Sequence, residues 1–194
     1  FFSKTVIIAT GSDPRSLGAK GEKEFVGKGV GYCVTCDGPL FKNKTVAIAG
    51  GGNAGFEGAE FMERYASKIY ILECSPEARA DLENQELVKK IKKVEVITNA
   101  QIKEIKGDKF VNSIIYEDLK EKKLKTLEVQ GLFIQIGYQP ATALAKGLVD
   151  FNERDEIKVE FETFQTKTPG LYAVGDVNTG PFKQIVTAAG EGCK

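Results

Sequence analysis

The 194-residue chain carries 27 Lys plus Arg against 27 Asp plus Glu and no histidine, so its formal charge is zero and no block of one sign stands out; a nucleic-acid partner, which needs a basic footprint, is excluded from the expectation. Its 42% apolar and 28% charged residues are those of one or two globular domains, and no apolar run nears the roughly 20 residues that span a bilayer. The opening "FFSKTVIIATG" lacks a signal peptide's basic-then-apolar layout, so a cytoplasmic protein with no membrane partner is expected.

In chain order, "KTVIIATG" (4–11) reads as a short buried strand closed by glycine, and a loop rich in Gly, Ser and Lys leads to the cysteines of "GYCVTCDGPLF". "KTVAIAGGGNAGFEGAEFMERYASKIYILE" (44–73) gives strand, glycine turn, helix and strand, a βαβ unit with Ala54, Ala59, Phe61, Met62 and Tyr65 as the helix's apolar positions. A helix over 83–92 and a strand at "VEVIT" (94–98) follow. From Ala100 to Val129, apolar and polar residues alternate over three segments parted by "GD" and "KEKK", the pattern of an antiparallel meander with one wet face. "GLFIQIG" (131–137) returns as an apolar strand, so residues 42 to about 140 form one α/β domain. Composition then shifts through "YQPATAL" and an acidic stretch to "TPGLYAVGD", another buried strand, ending in Gly-Asp.

Cys33 and Cys36 stand three apart with Asp37 directly after them. Three readings are open: a redox dithiol, half of a zinc site, or two ordinary buried thiols. Zinc needs four ligands, usually as two close pairs, whereas Cys74 and Cys193 are single and far apart in the chain; no metal is expected. "AGGGNAG" holds G-x-G-x-x-G as Gly50, Gly52 and Gly55, after a strand and opening a helix, the context in which this spacing binds a dinucleotide. Gly50 turns the chain, Gly52 lets backbone approach a pyrophosphate, Gly55 lets helix and strand close up, and Asn53 lies inside the same loop. Glu73 ends the second strand, placed to accept hydrogen bonds from the adenosine ribose and to repel a 2′-phosphate, which points to NAD(H) over NADP(H). Arg79, six residues on, is the group that could still reach a phosphate.

Taken together and in order, "CVTCDG", "GGGNAGFE", "GLFIQIGYQP", "TPGLYAVGDV" and "KQIVTAAGEGC" resemble the low-molecular-weight thioredoxin reductases over nearly the whole chain. "YCVTCDGPLFKNKTVAIAGGGNAG" and "LECSPEARAD" are more similar to the flavoprotein components of alkyl hydroperoxide reductases, which share that core. The resemblance implies an α/β fold in which a Rossmann-like NAD(P)H-binding domain, parallel sheet plus meander, is inserted into a discontinuous FAD-binding domain, with segments 1–38, 39–164 and 165–194. It implies a disulfide reductase passing electrons from NADH or NADPH through FAD to a Cys33–Cys36 disulfide and on to a thioredoxin-like or peroxiredoxin-type protein, in a homodimer. By the same likeness, Cys33 attacks the partner's disulfide, Cys36 faces the flavin and Asp37 manages the leaving thiolate's proton. Gly137 is assigned to cofactor binding, and Gly175, Asp176, Gln184 and Ile185 to FAD.

Two departures bear on the cofactors. NADPH-using thioredoxin reductases carry a basic cluster beginning "HRR" after the second strand, where this chain has Glu73, Cys74 and Ser75 and keeps only Arg79. The family's first glycine-rich βαβ unit, which cradles the FAD diphosphate, does not precede "KTVIIATG" here. The expectation is that this chain alone binds a nicotinamide dinucleotide without turning it over, FAD being held by the complete protein.

Overall fold

The computed structural model describes residues 2–194. In chain order the strands are β1 (Val6–Ile8), β2 (Ser12–Pro14), β3 (Val30–Gly31), β4 (Thr45–Ala49), β5 (Lys68–Leu72), β6 (Val94–Ile97), β7 (Ala100–Gly107), β8 (Val111–Asp118), β9 (Lys123–Glu128), β10 (Gly131–Ile134), β11 (Tyr138–Pro140) and β12 (Leu171–Ala173). The helices are α1 (Glu22–Phe25), α2 (Val34–Asp37), α3 (Asn53–Met62), α4 (Leu82–Lys89) and α5 (Ile185–Cys193). The chain forms two units: Arg15–Gly137, and the residues up to Pro14 together with Tyr138–Lys194.

These breaks differ from the expected ones after 38 and 164, for a packing reason. β3, which leads into Cys33, pairs with β10 in the main sheet, so the cysteines belong with the glycine loop. At the other end, Ala145, Val149 and Ile157 bury with Ile8, Leu171, Ala173 and Val177 in a small core of the second unit. The composition shift at "YQPATAL" thus coincides with the break after Gly137.

The Arg15–Gly137 unit is built on a five-stranded parallel sheet in the order β3-β10-β4-β5-β6. Both faces are covered, which is why its strands read as unbroken apolar runs rather than alternations. On one face Val46, Ile48, Ile69, Ile71 and Phe133 pack against Phe56, Ala59 and Met62 of α3, Val88 of α4 and Val34 of α2. On the other, Ala47, Ala49, Leu72, Leu132 and Ile134 meet Ile102, Ile105, Val111, Ile114 and Tyr116 of the antiparallel β7-β8-β9 meander. In α3 the buried positions are Gly55, Phe56, Gly58, Ala59 and Met62. Ala54, expected on that face, is exposed, and Tyr65 lies beyond the helix end.

In the other unit β1 pairs with β12 and β2 with β11. β1 is not the buried strand expected: Ile8 is buried, but Val6 and Ile7 are more than half exposed, since among the described residues β12 is the one strand paired with it. Ile185 and Val186 of α5 are exposed as well. Among the described residues no helix is long and apolar enough to cross a membrane.

Candidate functional site

The tight turn that follows β3 closes a disulfide between Cys33 and Cys36, with Cα atoms 5.3 Å apart. Cys33 is the N-cap of α2, in extended backbone, and its sulfur accepts from the Cys36 N–H at 3.2 Å. The Thr35 hydroxyl lies 3.5 Å from the same sulfur. This short helix sits hard against α3. A Cβ on Gly58 would press on Val34 at 3.2 Å, and one on Gly38 would meet the Met62 sulfur at 2.7 Å. Asp37 is half-buried, its carboxylate held over Gly31, where a Cβ would come within 2.9 Å of it. Cys74 and Cys193 are free and exposed. Cys33 and Cys36 are thus joined to each other, and among the described residues no group of three or more His, Cys, Asp or Glu is placed to hold a metal ion.

The glycine loop divides its labour. Gly50 has φ +118, the left-handed region that favours glycine, and packs on the Gln135 carbonyl. A Cβ on Gly55 would collide with the Gly50 carbonyl oxygen, so that glycine brings α3 onto the loop. Gly52, the N-cap of α3, is different: its backbone is ordinary extended chain and nothing lies within 4 Å of the position a Cβ would take. The protein's own packing therefore gives no reason for a glycine there, and the opened space lies at the N-terminus of a ten-residue helix. The pyrophosphate of a dinucleotide fits that open space and that dipole end.

Glu73 holds this loop from beneath. It is only 2% exposed, and its Oε2 accepts from the Gly51 N–H at 2.7 Å while Oε1 accepts from the Ser75 N–H at 2.8 Å. The carboxylate expected at the ribose is thus turned into the loop. Burial pushes its pKa up, but the hydrogen bonds from the Ser75 and Gly51 N–H groups and from the Ser75 and Cys74 side chains together outweigh that and hold it below the ordinary 4.5, ionised at neutral pH. Arg79 lies 3.8 Å from Oε1 with its side chain 73% exposed, and its backbone N–H, with that of Ala80, donates to the Gly51 carbonyl. Asn53 faces the same segment: its Nδ2 donates to Asp81 and its Oδ1 accepts from the Asp81 N–H, both at 2.8 Å. Residues 79–81 are clamped over the loop from both sides.

Three residues with no motif of their own tie the disulfide to this frame. Gln135 donates through Nε2 to the Tyr32 carbonyl at 2.9 Å, one residue before Cys33, and through its backbone N–H to Ala49, one residue before Gly50. The Tyr32 hydroxyl donates to Glu22 at 2.8 Å. Glu22, itself 2% exposed, also accepts from the Ser16 hydroxyl and the Leu17 and Gly18 N–H groups. Burial, then the hydrogen bond to Glu22, push the Tyr32 phenol up to about 12.

In the other unit the flavin-assigned residues meet. Gly175, Asp176, Gln184 and Ile185 line one cavity of about 330 Å³ with Gly11 and Lys183. Gly175 has φ +76 and its N–H donates to Glu191 at 2.7 Å; Asp176 accepts from the Ser12 hydroxyl at 3.3 Å. Gly137 (φ +91) is the last residue of the Arg15–Gly137 unit, and its carbonyl accepts from the Arg15 N–H.

The family model for the pyridine nucleotide-disulphide oxidoreductases matches residues 2–192. A component of the alkyl hydroperoxide reductase of Pseudomonas aeruginosa is 44% identical over 193 residues, 99% of this chain and 37% of that protein. A Bacillus subtilis protein named NADH dehydrogenase is 43% identical over 190 residues, 98% of this chain and 37% of its own length. Among solved structures, thioredoxin reductase of T. acidophilum superposes with a TM-score of 0.82 at 41% identity, covering 100% of this chain and 64% of that one. Thioredoxin reductase of Lactococcus lactis gives 0.83 at 34%, covering 99% and 63%. The chain thus spans 37% of the length of these two curated relatives.

Proposed function

Because the chain belongs to the pyridine nucleotide-disulphide oxidoreductase family, we propose that it works in a flavoprotein disulfide reductase that takes electrons from NADH and delivers them through Cys33 and Cys36 to a thioredoxin-like or peroxiredoxin-type protein disulfide. The observation that carries this is the disulfide itself, a reducible pair in the same unit as a glycine loop left open at Gly52. Relatives named for alkyl hydroperoxide and thioredoxin reduction support it.

In this reading Gly52 and the head of α3 receive the pyrophosphate, and Gly50 and Gly55 keep the loop in shape. Glu73 fixes Gly51 from inside the loop without reaching a ligand itself, and its buried negative charge, partly offset by the mostly solvated Arg79, acts through the loop to disfavour a 2′-phosphate nearby. That makes NADH the preferred dinucleotide. FAD, held at Gly175, Asp176, Gln184 and Ile185, would supply the two-electron carrier between nicotinamide and disulfide. Cys33 and Cys36, once reduced, exchange with the partner's disulfide, Asp37 handling a proton. The reading carries with it the cytoplasmic homodimer expected from the sequence.

The test is steady-state NADH oxidation by the FAD-loaded protein with a disulfide protein as acceptor. Turnover should be faster with NADH than with NADPH and should vanish in Cys33→Ser and Cys36→Ser. Acceptor reduction that survives in the double variant would sink the proposal.

A further inference from the structure

The two sulfurs of the disulfide are not treated alike. Among the described residues, both hydrogen-bond donors that reach the pair go to Cys33: the Cys36 N–H at 3.2 Å and the Thr35 hydroxyl at 3.5 Å. A disulfide sulfur carries no proton, so Thr35 is the donor in the second contact. It is also a weak acceptor, and two donors on one such atom bring little while the disulfide is closed. They become valuable when that sulfur carries a negative charge, because hydrogen bonds to a charged acceptor are the strong ones.

From this we infer that Thr35 is a catalytic residue: its hydroxyl donates to the Cys33 thiolate and makes Cys33, rather than Cys36, the low-pKa nucleophile of the reduced pair. The inference rests on the dithiol reading above and adds to it the group that decides which thiol attacks. Thr35 is exposed and Cys33 partly so, which leaves a partner access to the pair; Cys36 is the more exposed of the two, so it is the donors and not access that set Cys33 apart. The surroundings leave few competitors. Besides Cys36 itself, Asp37 is the ionisable side chain on α2, and its charge opposes a thiolate rather than favouring one. From α3, Gly58, Phe61 and Met62 pack on α2 and the following turn, none of them titratable; that turn is Gly38, Pro39, Leu40 and Phe41, also uncharged.

Two electrons and two protons, the electron pair being that of the reduced flavin in the proposed function, open Cys33–Cys36 to two thiols. The Cys33 thiol loses its proton to solvent or base, and its thiolate attacks one sulfur of the partner's disulfide. A mixed disulfide forms as the partner's second sulfur leaves as thiolate and takes up a proton. The Cys36 thiol then gives up its proton, and its thiolate attacks Cys33, restoring the intramolecular disulfide and releasing the partner as a dithiol.

The experiment needs neither flavin nor nucleotide. The purified chain is reduced with a phosphine, the phosphine removed, and iodoacetamide alkylation of Cys33 and Cys36 followed separately by peptide mass spectrometry from about pH 5 to 10, in wild type, Thr35→Val and Thr35→Ser. Wild-type Cys33 should alkylate with a lower midpoint pH than Cys36. Thr35→Val should raise the Cys33 midpoint and slow its alkylation below that midpoint roughly fivefold, leave the Cys36 profile unmoved, and be rescued by Thr35→Ser. An unchanged Cys33 profile in Thr35→Val, with both thiols titrating normally, overturns the role of Thr35 and leaves the dithiol reading intact. If the phosphine yields no alkylable pair, the dithiol reading itself falls, and this inference with it.

Discussion

Replacing Glu73 with glutamine keeps the side chain's shape while removing its charge and one acceptor oxygen. In the native loop two backbone donors, on Gly51 and Ser75, converge on its two oxygens at 2.7 and 2.8 Å. Glutamine can accept only one of them, so the other must face an amide NH2 in a site that is 2% exposed. Losing the charge from one bond and orphaning the second donor sets the cost at about 2–4 kcal/mol. The assay is urea unfolding followed by far-UV circular dichroism, fitted to separate transitions if the two units do not melt together. The pH dependence has a definite sign. The native pKa lies below the ordinary 4.5, so the carboxylate's stabilisation is fully present above 4.5 and is lost as pH falls through the lowered native value. The gap between wild type and Glu73→Gln should therefore be flat around neutrality and close in acid. A variant within ~0.5 kcal/mol of wild type at neutral pH would refute the claim that this carboxylate holds the loop.

Gly52→Ala and Gly55→Ala should separate ligand space from packing. The first has open room for its methyl and should fold as stably as wild type while NADH affinity, by calorimetry, falls at least about tenfold; the second drives a methyl into the Gly50 carbonyl and should destabilise the unit by about 1–3 kcal/mol. Tyrosinate absorbance should show one phenol titrating at about 12, and Glu22→Gln should bring it down toward 10. Because that phenol keeps its proton longer in the folded state, stability should fall as pH rises from 10 to about 12, and less so in Glu22→Gln.

The parts of this site that could be read in the sequence are those whose cause is local. A parallel strand buried on both faces must be apolar throughout, and a loop that turns, admits a ligand and then packs a helix must place three glycines at fixed spacing; Thr45–Ala49 and Gly50–Gly55 therefore announce themselves. The cysteine pair was visible but ambiguous until its sulfurs were joined. What escaped depends on residues distant in the chain. Gln135 meets Tyr32 across 103 positions, and Glu22 gathers four donors from one loop and from the bend after β3, with no repeating pattern to mark it. Glu73 was legible as an acidic strand end, but not as the group beneath Gly51, because only the fold decides whether a carboxylate faces ligand or backbone. The break after Pro14 escaped because β3 finds its partner, β10, about 100 residues later.

The central claim is that dinucleotide electrons reach Cys33 and Cys36, and trapping the thiols after a single reduction tests it most directly. The FAD-loaded protein is mixed anaerobically with stoichiometric NADH, quenched with maleimide and digested for mass spectrometry. Cys33 and Cys36 should pass together from unlabelled to labelled as NADH is consumed, while Cys74 and Cys193, free in the structure, label before and after. NADH consumed and flavin reduced with Cys33 and Cys36 still unlabelled would contradict the account.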